Sequence, residues 1–482
     1  MLLCLALIPA CLIHTRSTDW GDDYAQYIYQ AQHIGHYHTP YAEVLNADVY
    51  GSPRKSIFFS LCLSMIKPAL SISPYLVLNT CFYVLSALSV FFFFTRLCKP
   101  YIAFILTLLL YYHFRMLDAK EEVLPEFVFI ALFYLVLYLR FSAGKSERRS
   151  IPEASRSRII TWLKKHKSLI SAILLACLLA TRSLALALII PCMLAGIKKN
   201  LHRHRFNMVI GVSAFTISFI LIQTCLLPGH ASAELGFYSG LMSRHFSVSL
   251  ILQNILSYAK TLPLLFEFEL PSMLNRVASG LFMILFLSGL WNMFMKQQKF
   301  LAGVLFLYLA GLCLYPYNGD AIRYLIPILP LIFLLLFHGF EFLSEKLSGK
   351  KNHIIAAIFI GLFFVGANLK TILVNKTIRH LGQGPFERSV IKDFQTIGQL
   401  VKPSESIAFC KPYLVNWLTE RNSYYLHPDS VVTRADYILY TRNENLAEPY
   451  HFNPHTLPNI EDTICLSNFY LFKVQRKTPT EN

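Results

Sequence analysis

Long apolar runs recur along most of the chain, separated by short loops that carry Lys and Arg. No other feature limits the fold as strongly. Inside hydrocarbon no water can meet a backbone N–H or C=O, so such runs must close their own hydrogen bonds as helices. Of the 482 residues, 55% are hydrophobic and only 15% charged, whereas a soluble domain carries about 25% charged residues. The pattern predicts a polytopic α-helical membrane protein with roughly eleven spans, several of them shorter than the ~20 residues that a perpendicular helix needs.

The first run, 1–13, is short. It lacks the preceding positive region of a signal peptide and reads as a short or truncated first span. The other candidate spans are 75–95, 101–114, 123–139, 169–179, 184–197, 208–227, 277–295, 300–314, 324–340 and 354–369. Four loops are basic. Lys145, Arg148, Arg149, Arg156, Arg158, Lys164, Lys165 and Lys167 crowd one, and Lys198, Lys199, Arg203 and Arg205 a second. Lys296 and Lys299 mark a third, and Lys346, Lys350 and Lys351 a fourth. One orientation, with the N-terminus inside, puts all four on the cytoplasmic side. The net charge of +16 is therefore a topology signal, and no nucleic-acid partner is expected.

That orientation leaves 15–74, 228–276 and everything after about residue 371 outside. The stretches 57–66 and 250–265 are moderately apolar and amphipathic, as helices lying in the interface are. The C-terminal segment changes character. Helical spacing covers 389–401 and 415–419, and short strands are expected at 406–409, 437–440 and 470–474. The chain thus divides into a membrane domain, 1–372, and a small outer α/β domain, 373–482. Most of the eleven cysteines lie in apolar runs as small hydrophobes. Cys410 and Cys465 are the pair that an oxidising compartment could join.

Three groups could carry chemistry. Asp22 and Asp23, in Gly21-Asp22-Asp23-Tyr24-Ala25-Gln26-Tyr27, lie just outside the first span. Adjacent carboxylates there suit a general base, a metal ligand, or simply a solvated helix start. Asp118, Glu121, Glu122 and Glu126 surround Pro125 at the outer start of the fourth span; they fit either a polar site or a helix N-terminus. Arg182, Arg323 and the pair Arg54-Lys55 are outer cations that break the topology trend. They suit an anionic lipid headgroup, snorkelling, or pairing with the nearby acids. His33, His36 and His38 do not match a tight zinc spacing. There is no P-loop, Rossmann glycine pattern or nucleophile elbow.

In this order and position the motifs resemble those of bacterial C-type (GT-C) glycosyltransferases of the dolichyl-phosphate-mannose protein mannosyltransferase superfamily. The lipid A aminoarabinose transferase belongs to that group. Asp23, Tyr27 and Ala31 fit the family's first outer-loop frame of an Asp, a Tyr four residues on and an Ala four beyond. The resemblance makes Asp23 the catalytic carboxylate, with Asp22 the alternative. Lys55, before the next interfacial helix, takes the place of the family's phosphate-contacting lysine. Glu121 and Glu122 take that of a second acidic motif, for the acceptor or a metal. Arg182 sits in a turn like the family's Arg-containing turn. Arg323-Tyr324-Leu325-Ile326-Pro327 is similar to its late motif, so Arg182, Arg323 and Tyr324 join the donor phosphate site.

The implied function is transfer of a sugar from a polyprenyl-phosphate donor to a lipid, glycan or protein acceptor. The implied place is the periplasmic face of a bacterial inner membrane, as in lipopolysaccharide or protein glycosylation. The one cofactor that this reading leaves open is a divalent metal held by the carboxylates. The competing reading is a transporter or flippase of a lipid-linked sugar. That would place ionisable residues near the midplane of broken helices and show inverted repeats; here they cluster at the outer ends of spans.

Overall fold

The computed structural model describes residues 1–12, 23–32, 57–67, 71–141, 167–197, 213, 217, 247–265, 272–295, 298–314, 321–348, 385–426, 435–442 and 460–474. The expected spans 208–227 and 354–369 lie outside these residues, as do Asp22, His33, His36, His38, Arg54 and Lys55. The described chain opens with α1 (Leu2–Leu12), α2 (Asp23–Gln32) and α3 (Ile57–Leu63). There follow α4 (Ser73–Leu97), α5 (Pro100–Tyr111), α6 (Phe114–Glu121) and α7 (Glu126–Phe141). Next come α8 (Lys167–Leu179), α9 (Leu186–Ile197), α10 (Val248–Leu264), α11 (Ser272–Met295) and α12 (Lys299–Leu314).

Two segments, α13 (Ala321–Leu325) and α14 (Leu329–Ser348), are joined by a 3₁₀ turn at Ile326–Ile328. Pro327 and Pro330 lack the N–H groups that a continuous helix would use there. At this break the Tyr308 phenol donates to the Tyr324 carbonyl at 3.0 Å and the Tyr134 phenol to the Pro327 carbonyl at 3.1 Å. The broken helix therefore keeps a fixed position against α7 and α12.

Among the described residues, three stretches are long and apolar enough to cross a membrane: Ser73–Leu97, Asn275–Met295 and Ala321–Lys346. A fourth is the pair α5 and α6 if it counts as one span, bent by 58°. Among the described residues, then, three or four of the roughly eleven expected spans are helices of full length. Several of the apolar runs fold into shorter helices, such as Leu169–Leu179 and Phe300–Leu314. The physical reason is visible in α5 and α6. The run breaks at Tyr112 and His113, and the His113 imidazole caps the new helix by accepting from the Arg115 N–H at 3.3 Å.

Tight packing holds the bundle together. The helices α11 and α14 touch backbone to backbone: a Cβ on Gly289 would sit 1.9 Å from the Leu335 carbonyl oxygen, and one on Gly339 would sit 1.9 Å from that of Leu285. Small residues permit this approach where apolar side chains gain nothing by leaving lipid. Asn292 adds a buried hydrogen bond across the same contact, to the His338 carbonyl at 3.1 Å. Aromatic rings join α4 to α5 and α7. Tyr83 meets Tyr111 and Phe127 edge to face, and the Tyr111 phenol donates to Ser86 at 2.6 Å.

The C-terminal segment contains α15 (Arg388–Leu400), β1 (Ser406–Phe409), α16 (Pro412–Thr419), β2 (Asn422–Tyr425), β3 (Tyr437–Thr441), β4 (Ile460–Cys465) and β5 (Phe469–Val474). Its sheet runs β2-β1-β3-β5-β4, with β1 parallel to both neighbours and β5 antiparallel to both of its own. The three strands expected from the sequence are present, and β2 and β4 are additional. Every residue of β1 is buried, as a central strand requires. Cys410 and Cys465 are free thiols, so the disulfide that the sequence allowed is not formed.

This sheet segment shares a core with α2 and α3. Trp417 of α16, fully buried, meets Tyr24 and Tyr75 edge to face and packs against Phe386. One apolar cluster includes Ile28 of α2, Phe59 of α3, Val123, Val128 of α7, Phe394 of α15 and Phe469 of β5. The helix that carries Asp23 is therefore clamped between the bundle and the C-terminal domain.

Candidate active site

Four elements deliver charge to one point. Asp23 is the first residue of α2, and its carboxylate faces the bundle. Glu126 opens α7 directly after Pro125, where the helix dipole favours an anion. Arg182 sits at the crest of the turn between α8 and α9. There its N–H bonds the Leu178 carbonyl at 3.0 Å, and its own carbonyl accepts from Ala185 at 3.1 Å. The Phe58 N–H of α3 bonds the Ala180 carbonyl at 3.2 Å and ties that turn to α3. Arg323 lies in α13, before the proline break.

The four side chains form a chain of ion pairs. Arg323 donates from Nη1 to Asp23 Oδ2 at 2.6 Å and from Nε to Glu126 Oε1 at 2.6 Å. Arg182 donates from Nη2 to the same Glu126 oxygen. Glu126 is 1% exposed and Arg182 11%, whereas Arg323 is 18% exposed and Asp23 37%. The network thus runs from a closed end at Glu126 to an open end at Asp23. The Arg182 guanidinium lies over the Tyr324 ring at 5.7 Å, a cation–π contact. Tyr27, one turn after Asp23, is buried in the field of both arginines and both acids. Burial pushes its phenol well above the ordinary tyrosine range, so it stays protonated and able to donate.

The structure brings Asp23, Arg182, Arg323 and Tyr324 together, although they come from distant parts of the chain. It engages Glu121 and Glu122 differently. Glu121 pairs with Lys120 at 3.2 Å, and the Glu122 carbonyl accepts from Asn79 at 2.6 Å. The acid that both arginines share is Glu126, a member of the same cluster that the sequence reading did not select. The sequence held one signal for it. In Leu124-Pro125-Glu126-Phe127 this carboxylate is flanked by apolar residues and cannot easily reach water. Among the described residues no three of His, Cys, Asp and Glu gather to hold a metal ion. In these ion pairs one oxygen of Asp23 and one of Glu126 face arginines.

With this geometry in view, the likeness to solved structures has a specific meaning. The chain shares the fold of an archaeal oligosaccharyltransferase. The enzyme is AglB of Archaeoglobus fulgidus, in complex with an inhibitory peptide and a dolichol-phosphate (TM-score 0.53, 11% identity, 91% of this chain and 69% of that one). Two further crystal structures of the oligosaccharyltransferase of that organism align over a similar extent. One, tethered through a disulfide to an acceptor peptide containing the NVT sequon, has a TM-score of 0.53 at 11% identity over 91% and 69%. The other, with zinc and sulfate, has 0.54 at 11% over 92% and 68%. No family model and no curated protein matches the sequence. The likeness is one of fold, spread over most of the chain.

Proposed function

We propose that the chain is an inverting C-type membrane glycosyltransferase that moves a sugar from a polyprenyl-phosphate donor to a lipid, glycan or protein acceptor. The observation that carries this reading is the joining of Asp23, Arg323, Glu126 and Arg182 beside the outer-loop helix. Two cations held at one point suit a group whose negative charge grows as it leaves. In the proposed step the acceptor oxygen or nitrogen attacks the anomeric carbon from the face opposite the phosphate. The carbon–oxygen bond to the phosphate breaks through an oxocarbenium-like transition state, and the phosphate departs with the electron pair. The Asp23 carboxylate accepts the acceptor's proton or orients it, and Arg182 and Arg323 neutralise the leaving phosphate.

Two features support this reading over a flippase. The charges meet where helices begin and turn, beside α2 and the C-terminal domain, rather than along the middle of a long helix. A fold shared with a protein solved with a dolichol-phosphate adds weight. We place the site and the C-terminal domain, 373–482, on the periplasmic side of a bacterial inner membrane, with 1–372 as the membrane domain. Asp22 would be the substitute base and Lys55 a further phosphate contact. Mass spectrometry of glycolipids and glycoproteins from cells with and without the gene tests the proposal. A sugar-bearing species that vanishes on deletion and returns with the wild type but not with Asp23→Asn is the expected result. Identical profiles would reject the enzyme.

A further inference from the structure

The two oxygens of Glu126 are used unequally. Oε1 takes both arginines, whereas among the described residues Oε2 is buried with no hydrogen-bond partner, and so is Nη1 of Arg182. Of the two, the guanidinium nitrogen is the donor that an anion's oxygen can meet. The two carboxylates on Arg323 also differ in freedom. Glu126 is sealed from water, so losing an arginine would strand a buried charge. Asp23 is more than one-third exposed, so water can replace its arginine at little cost.

We propose that Glu126 is a positioning residue that fixes both guanidiniums as one anion-binding pair, and that the Asp23–Arg323 contact is the one an incoming anion displaces. This rests on the reading of the arginines as the donor-phosphate site. Glu126 keeps hold of Nε of Arg323 and Nη2 of Arg182 and cancels the repulsion between the two cations. A phosphate then takes Nη1 of Arg182 together with Nη1 of Arg323, which leaves Asp23. The Asp23 carboxylate gives up its arginine only once the donor has arrived. Arrival of the phosphate is thereby coupled to activation of the acceptor, and a water that enters an empty site meets an occupied carboxylate.

The two acids should therefore act with opposite sign on anion binding. The test measures binding of dolichyl phosphate, in detergent micelles at fixed ionic strength, to the purified full-length protein and its variants. Arg182→Met should weaken binding at least tenfold. Glu126→Gln should also weaken it about tenfold, although simple electrostatics predicts that removing a negative charge beside an anion tightens its hold. Glu126→Asp, which keeps the charge, should recover part of the loss. Asp23→Asn should tighten binding several-fold, because the competing carboxylate is gone. Equal or tighter binding by Glu126→Gln, or weaker binding by Asp23→Asn, overturns the inference while leaving the phosphate site standing. If the wild type binds no better than Arg182→Met, the phosphate reading falls and this inference with it. Should Glu126→Gln fail to fold, the Asp23→Asn measurement alone decides.

Discussion

Two buried charge clusters lie within a few residues of each other in sequence and are built on different principles. At Lys120 the ammonium, 2% exposed, reaches the Ala10 carbonyl at 3.0 Å, that of Cys11 at 3.1 Å and the Glu121 carboxylate at 3.2 Å. Three donors have three acceptors, and the cation caps the last turn of α1. Its neighbours are also fastened, since Asn79 of α4 donates to the Lys120 carbonyl at 2.9 Å. At Glu126, six residues on, one carboxylate oxygen serves two arginines, and among the described residues the other oxygen and an arginine nitrogen have no partner. The Lys120 ammonium has every donor met. At Glu126 a carboxylate oxygen and a guanidinium nitrogen stay unmet among the described residues, beside two cations, and we read that as a place for a ligand.

The comparison can be broken most forcefully at the brace. Lys120→Met removes one partner of a buried pair and should cost about 3–5 kcal/mol of stability. The thermal midpoint in detergent should fall sharply, while turnover per folded molecule is kept. A variant of unchanged stability and lost turnover would move the function to the Lys120 cluster.

At the site the effects should reverse. Asp23→Asn keeps the volume and should leave the thermal midpoint near the wild type, while turnover falls at least ~10²-fold through loss of the base. Near-normal turnover would shift that role to Asp22 or to Glu126. Arg323→Lys keeps a charge but loses the planar fork, so it cannot hold Asp23, Glu126 and a phosphate as arginine does. A tenfold loss, about 1.4 kcal/mol, is expected in turnover with protein level maintained. Equal activity would reduce Arg323 to a point charge. The smallest change is Tyr27→Phe, which removes one donor from the field of four charges. About 1 kcal/mol of transition-state stabilisation should be lost, read as a several-fold fall in turnover. No change would place Tyr27 in the core rather than the site.

How much of this was legible beforehand depends on the kind of interaction. Apolar periodicity is a property of neighbours in sequence, so α4, α11 and α15 were readable to within a few residues of their ends. The strands β1, β3 and β5 were readable for the same reason. The edge strand β4 was not, because its outward pattern is largely exposed and carries little apolar signal. The bend between α5 and α6 falls at the end of the apolar run 101–114 and was not legible, since it depends on how the His113 imidazole meets a backbone N–H.

The sequence by itself determined that this chain builds helices for a membrane, that charge gathers at the ends of those helices, and that Asp23, Arg182 and Arg323 are candidates for chemistry. Each conclusion follows from local composition, where the cost of a polar group in hydrocarbon leaves few choices. Only the tertiary structure decided which acid stands between the arginines. Glu121, Glu122 and Glu126 are equivalent as residue types and lie within one short stretch. The turn before α7 and the break before α14 bring Glu126 to Arg182 and Arg323, while Glu121 pairs with its chain neighbour Lys120. Partners separated by 56 and 197 residues meet there. Ion-pair energy depends on distance and burial, and the packing of helices sets both.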